Sequence, residues 1–181
     1  MSDQAPDYHP FYCEENIWRL NRRSVFTSTR RDVVFITSLS GACPLFGMRA
    51  SASPEEPIFW DYHVVLLDWR EEQAKIWDLD SIHGAPIAAS DWFARTVPDW
   101  SVLAQEYHPV FRVVDGEQFD KGFSSDRSHM CDEQGHFAMA PPPWSAPYID
   151  DVGMVLESYK SARQGGPGDV LTAGEFFRHI S

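Results

Sequence analysis

The sequence predicts an α+β fold in which a helix near the N-terminus packs on a mainly antiparallel sheet. Three observations predict it. Cys13, Ile17 and Leu20 recur at i, i+4 and i+7, one face of a helix. IFWDYHVVLLDW at 58–69 and QAKIWDLDS at 73–81 are runs of aromatic and β-branched residues joined by REE, the pattern of an antiparallel hairpin. With 181 residues, 43% hydrophobic and 14% aromatic, the chain has the length of one domain and enough apolar side chains for a real core. A single catalytic domain over 1–181 is expected, with 1–8 as a loose tail.

The elements follow in order. Cys13 to Arg23 reads as a helix, with Glu14 and Glu15 in its first turn and Arg19, Arg22 and Arg23 late, both suited to the helix dipole. DVVFITS at 32–38 reads as a strand. Residues 38–57, rich in Gly, Pro and Ser, read mostly as loop. The hairpin strands come next. ASDWFARTV is expected to form a short helix capped by Ser90 and interrupted by Pro98, with a second short helix over Val102 to Tyr107. HPVFRVV at 108–114 reads as a strand, and 115–130 as polar and irregular. APPPWSAP at 140–147, with four prolines, must be extended. Thr172 and Glu175 stand at capping-box spacing before a last helix.

Charge and motifs narrow the function. A net charge of −12 repels phosphates and argues against nucleic-acid partners; it favours cationic ones, such as a peptide with a free α-ammonium group. No run reaches the roughly 18–20 apolar residues of a membrane span. Three cysteines and an acidic N-terminal stretch without an apolar h-region point to a reducing, cytoplasmic setting, or a nuclear one as well. Cys131 lies near His129 and His136, but without CxxC or HExxH spacing, so no metal is expected, and Cys43 reads as inert. No glycine pattern for a phosphate or dinucleotide is present, and no cofactor is expected. A monomer is expected.

The hairpin places chemistry. Asp61, His63, Val65 and Leu67 alternate onto one face of the first strand; Ile76, Asp78 and Asp80 share a face of the second. A four-residue loop over 69–72 would set residue 63 opposite 78 and residue 61 opposite 80, putting a carboxylate beside His63. A slip of two would hand that role to Asp80. A carboxylate in this position fixes the imidazole tautomer and stabilises its protonated form. Cys13, at the start of a helix where a thiol pKa falls, completes a thiolate–imidazolium–carboxylate set if the helix packs against the sheet. SSDRSHM at 124–130 either lines a site with Ser125, Asp126 and Arg127 or forms a self-satisfied capped turn.

YCEENIW (12–18), WDYHVVLL (60–67), DLDS (78–81) and FSSDRSHM (123–130), in this order, resemble the protein N-terminal glutamine amidohydrolases. The resemblance implies an α-β-α sandwich with a papain- or transglutaminase-like catalytic arrangement. It implies deamidation of an N-terminal glutamine side chain to glutamate with release of ammonia. In eukaryotes it implies a place in the N-degron pathway. The family's Cys, His and Asp fall on Cys13, His63 and Asp78, the residues the register argument reaches. The substrate's α-amine needs an acidic partner, for which Asp61 and Asp126 are the candidates. Transglutaminases and cysteine peptidases share these parts, and a non-catalytic binder of N-terminal glutamine would keep them as a relic.

Overall fold

A computed structural model describes residues 5–26, 29–70 and 73–181. Among these, five helices and eight strands form an α+β arrangement built on a six-stranded sheet, in the order β6-β5-β4-β1-β7-β8. Every neighbouring pair in it is antiparallel. The strands are β1 (Arg30–Thr37), β4 (His63–Arg70), β5 (Gln73–Trp77), β6 (Ile87–Ala88), β7 (Val110–Asp115) and β8 (Asp169–Thr172). A separate two-stranded sheet pairs β2 (Cys43–Leu45) with β3 (Ile58–Trp60).

The central strands are apolar on both faces because both faces are covered. Val34, Ile36, Val65 and Leu67 point into one core, with Trp92 and Phe93 of α2 (Ala89–Thr96) and Phe176 of α5 (Ala173–Ile180). Val33, Phe35, Val64 and Leu66 point into the other. That second core also takes Cys13, Ile17 and Leu20 of α1 (Cys13–Asn21), Phe119 of α3 (Gly116–Gly122), and Leu156 and Tyr159 of α4 (Leu156–Tyr159). Helices therefore lie on both faces, and the period-3.6 stripe of α1 is the surface it buries.

Several expectations need correction. The run 58–69 is not one strand: it breaks at Asp61 and Tyr62, β3 leaves to pair with β2, and Thr37 Oγ1 donates to the Asp61 carbonyl at 2.8 Å. Cys43 consequently sits in a strand, fully buried, where loss of solvation pushes its thiol up to about 12. The hairpin register is also shifted. Arg70 pairs with Gln73 and Leu66 with Trp77, so Trp69 and Arg70 belong to the ladder; the remaining loop positions 71 and 72 lie outside the described residues. Ser90 does not cap α2, which begins at Ala89 after Ala88 with no side-chain cap. Val102 to Tyr107 forms no helix of its own but is part of two short 3-10 turns, 100–102 and 105–107.

Two further differences have local causes. Residues 115–130 contain α3, started by Asp115, whose Oδ1 accepts the N–H groups of Glu117 and Gln118 at 2.9 Å each. The tail is not loose from residue 7 on: Arg19 holds Asp7 at 2.7 Å and the Tyr8 hydroxyl donates to Asp80 Oδ1 at 2.7 Å, while residues 1–4 lie outside the described residues. The expected capping box at Thr172 and Glu175 is present.

One buried cation organises the edge of the fold. Arg112, on β7, is fully buried, with no carboxylate partner among the described residues. Its guanidinium donates instead to the carbonyls of Ser161 (2.9 Å), Arg163 (2.7 Å) and Pro167 (2.7 Å). The loop between α4 and β8 is thus tied down through its backbone.

Candidate active site

The site forms where β4 begins. His63 is its first residue and is fully buried. Strand β5 ends at Trp77, and the chain then turns so that the Asp80 N–H donates to Asp78 Oδ1 at 3.1 Å. That turn matters. The observed register would set Asp80 opposite His63, yet leaving the sheet swings Asp78 into place, and His63 Nε2 lies 2.9 Å from Asp78 Oδ1. Trp92 of α2 donates its indole N–H to Asp78 Oδ2 at 2.9 Å. The fully buried Asp78 carboxylate therefore has three donors. Burial pushes its pKa up, but His63, by charge and hydrogen bond, and then Trp92 and the Asp80 N–H outweigh that and lower it. Burial likewise pushes His63 down, but the Asp78 carboxylate, with a smaller contribution from Asp80, leaves its pKa raised.

The other ring nitrogen is the informative one. His63 Nδ1 is buried and has no hydrogen-bond partner among the described residues. The Trp60 ring stacks on the imidazole, centroids 5.3 Å apart, and shields it from solvent.

Cys13 approaches from the other face of the sheet. It is the first residue of α1, and the preceding Tyr12 caps the helix with no side-chain hydrogen bond. Phe11 holds a left-handed φ of 69°, an unfavourable conformation for a bulky side chain, which sets the path of the chain into the helix. The thiol packs at Val64, the neighbour of His63, whose backbone N–H lowers its pKa. The Asp80 carboxylate raises the pKa of both Cys13 and His63, as a lesser cause in each. The expectation of a depressed thiol pKa does not hold for this state. Burial first, and then the carboxylates of Glu14, Asp80 and Asp61, raise it well above the ordinary value.

A cavity of about 100 Å³ opens on Cys13, Trp60, Asp61, Tyr62, His129 and Lys160. A larger one, about 380 Å³, shares Asp61 and Lys160 with it and runs between residues 37–41 and 160–163. It lacks the thiol and meets the smaller cavity at Asp61 and Lys160. Asp126 does not line either; its carboxylate accepts the Ser128 N–H at 2.9 Å in a capped turn. Arg127 does not reach the cavity. It grips the buried Glu15 with two bonds, 2.7 and 2.8 Å, and Trp144 Nε1 adds a third at 2.8 Å. That clamp fixes 127–130 against α1 and delivers His129 to the cavity wall.

Sequence reasoning missed Tyr62, His129, Glu14 and Trp92 as parts of the site. His129 and Tyr62 lie inside the quoted blocks, which was the available signal; the reach of Trp92 depends on packing between layers and leaves no local one. Cys131 donates to the Arg127 carbonyl at 3.7 Å and His136 faces Asp132 at 3.3 Å, so with His129 they form no converging set. The ligand-type atoms of His63, Asp78 and Asp80 do lie within 4.8 Å of one another, but they are engaged with each other and with Trp92 and Tyr8. Among the described residues, no helix is long and apolar enough to cross a membrane.

The family model described as N-terminal glutamine amidase matches residues 8–180. The chain is similar to the protein N-terminal glutamine amidohydrolase of Homo sapiens, 31% identical over 175 residues covering 93% of this chain and 85% of that one. It is similar to the same-named protein of Danio rerio, 30% identical over 182 residues covering 96% and 88%. The Arabidopsis thaliana protein of that name is 34% identical over 144 residues, 75% of this chain, which spans 65% of that relative's length.

Proposed function

The chain belongs to the N-terminal glutamine amidase family, and from that premise we propose that it hydrolyses the side-chain carboxamide of an N-terminal glutamine to glutamate and ammonia through a thioester on Cys13. The observation that carries this reading is the buried His63–Asp78 pair with its unpartnered Nδ1, set beside the residue that holds the Cys13 thiol. This is the division of labour of a papain- or transglutaminase-like site: one ring nitrogen oriented by a carboxylate, the other free to exchange a proton with sulfur.

The steps balance. Cys13 gives its proton to His63, and the thiolate attacks the carboxamide carbon. The tetrahedral oxyanion forms at the start of α1, where the Cys13 backbone N–H is the donor; such a donor is typically worth about 10²–10³ in rate. The C–N bond breaks, His63 protonates the leaving nitrogen, and ammonia departs. Water then attacks the thioester, His63 takes its proton, the C–S bond breaks, and glutamate leaves with the thiol restored. Asp78 orients the imidazole and stabilises its cationic form throughout.

Asp61, at the cavity mouth, is the proposed partner of the substrate's α-ammonium, and the following residues run into the larger cavity beyond Lys160. Asp126, the other candidate, would have to leave its turn to take part. Discrimination against asparagine comes from misplacement of the shorter carboxamide relative to the sulfur, since one methylene of pocket contact is worth only about 1–3 kcal/mol. The proposed setting is a monomer in the cytoplasm, or also the nucleus. In a eukaryotic cell the product would enter the N-degron pathway.

A peptide panel read by mass spectrometry and ammonia release tests this. A peptide beginning with Gln is expected to gain about 1 Da at its first residue with no cleavage. Peptides with Asn first, or Gln second, are expected to stay unchanged. Cross-linking to an added amine would point to a transglutaminase, backbone cleavage to a peptidase, and binding without turnover to a relic.

A further inference from the structure

Glu14 is not used by the mechanism above, and its place is unusual. It follows the nucleophile directly and is fully buried. Its Oε2 is 3.7 Å from the Cys13 sulfur. Its Oε1 has no hydrogen-bond partner among the described residues; His129 Nε2 lies at 3.5 Å without hydrogen-bond geometry and instead contacts the Tyr62 hydroxyl at 3.3 Å. A buried carboxylate is costly without a bonded cation, and beside a thiol it opposes the thiolate that the reaction needs.

The other groups around the sulfur do not correct this. Asp61 and Asp80 add negative charge near Cys13. Asp80 is committed to Tyr8. Lys160 stands at the cavity, but its ammonium is 2.9 Å from Glu157 and 3.9 Å from Asp61, so it is already balanced by carboxylates. His63 is committed to Asp78. Tyr62, which also lines the cavity, is held neutral by burial first and then by the Glu14 carboxylate. Among the described residues, Glu14 is thus left without a hydrogen-bonded cation. The substrate carries one: an α-amine has a pKa of about 7.7–8.0 and is largely protonated at neutral pH.

We propose that the α-ammonium of the substrate is the activating cation of this site, neutralising the Glu14 and Asp61 carboxylates around Cys13 so that the thiolate forms when a free N-terminus occupies the cavity. The proposal rests on the reading of Cys13 as nucleophile and of an N-terminal residue as substrate. It makes Glu14 a charge that acts directly on the sulfur, 3.7 Å away. It also gives selectivity for free N-termini a chemical origin beyond binding: an internal glutamine brings no charge and leaves the thiol protonated.

The test is the pH dependence of Cys13 alkylation by iodoacetamide, followed by peptide mapping so that Cys43 and Cys131 do not contribute. Each unit of lowered thiol pKa raises the thiolate fraction tenfold at a pH below the midpoint and loses about threefold in intrinsic nucleophilicity, a net gain of about threefold. Glu14→Gln is expected to move the midpoint to lower pH by at least about one unit. In the wild type, a tripeptide beginning with norleucine, which offers the ammonium but no carboxamide, is expected to move it the same way. Its N-acetylated form is expected to move nothing. The midpoint is the readout, because a bound peptide can also shield the sulfur.

Unmoved midpoints in both the variant and the peptide arm overturn the proposal. The peptide arm needs no substitution and stands even if Glu14→Gln does not fold. A chain that deamidates N-terminal glutamine with an unmoved midpoint refutes this inference alone. A midpoint shift in a chain that does not deamidate refutes the hydrolase reading and leaves the charge coupling in place.

Discussion

Asp78→Asn is expected to lower kcat for a Gln-first peptide by about 10⁴-fold while the chain remains folded. Three donors converge on the Asp78 carboxylate: His63 Nε2, the Asp80 N–H and Trp92 Nε1. An amide has one acceptor oxygen and one donor nitrogen. With its oxygen toward His63 and Asp80, its NH₂ meets the Trp92 N–H. With its oxygen toward Trp92, it leaves the Asp80 N–H unpaired and forces His63 into the other tautomer, placing a proton on the nitrogen that should receive one from sulfur. Both orientations lose the charge that stabilises the imidazolium. The unsatisfied buried donor adds about 1–3 kcal/mol of destabilisation. Steady-state kinetics with a thermal melt check this, and Asp80→Asn is the control. Asp80 has no hydrogen bond to His63, so its substitution is expected to cost less than about tenfold. Equal losses in the two variants would contradict the assignment of Asp78 as the orienting residue.

Arg112→Met is expected to give the largest loss of stability from a single substitution away from the thiol and imidazole. The guanidinium is fully buried, and three main-chain carbonyls of the 161–167 segment depend on it. Unpaired buried acceptors cost about 1–3 kcal/mol each, and partial rehydration of this surface loop leaves a net loss of about 3–4 kcal/mol. For a chain of this length that corresponds to a fall in Tm of about 6–16 °C. Because the tied loop walls the larger cavity, KM for longer peptides should rise more than KM for a dipeptide. A melt within about 2 °C of wild type would show that the loop is held by other means.

How much of this was legible in the sequence varies with the kind of information. Helix α1 and strands β1, β4 and β7 were readable because their apolar spacing is set by burial, which repeats along the chain. Short elements were not. Strands β2 and β8 span three or four residues, and α4 spans four, too few for any period to show. The break at Asp61 and Tyr62 was hidden because a strand that changes sheets keeps the same residue types on either side of the change. The His63–Asp78 pair was reached by a register two residues off. It survived because the end of β5 at Trp77 offset the shift, a coincidence of turn geometry that strand alternation cannot express. The charge environment of Cys13 was the deepest miss. Position at a helix N-terminus argued for a low thiol pKa, but burial and three carboxylates brought in from residues 14, 61 and 80 dominate in three dimensions.

The most direct measurement is mass spectrometry of a Gln-first peptide incubated with the wild-type chain and with Cys13→Ala in parallel. The account predicts a gain of about 1 Da at the N-terminal residue with the wild type, and a rate at least about 10⁴-fold lower with the folded variant. Deamidation that survives in Cys13→Ala, or its absence from folded wild type, would contradict the account.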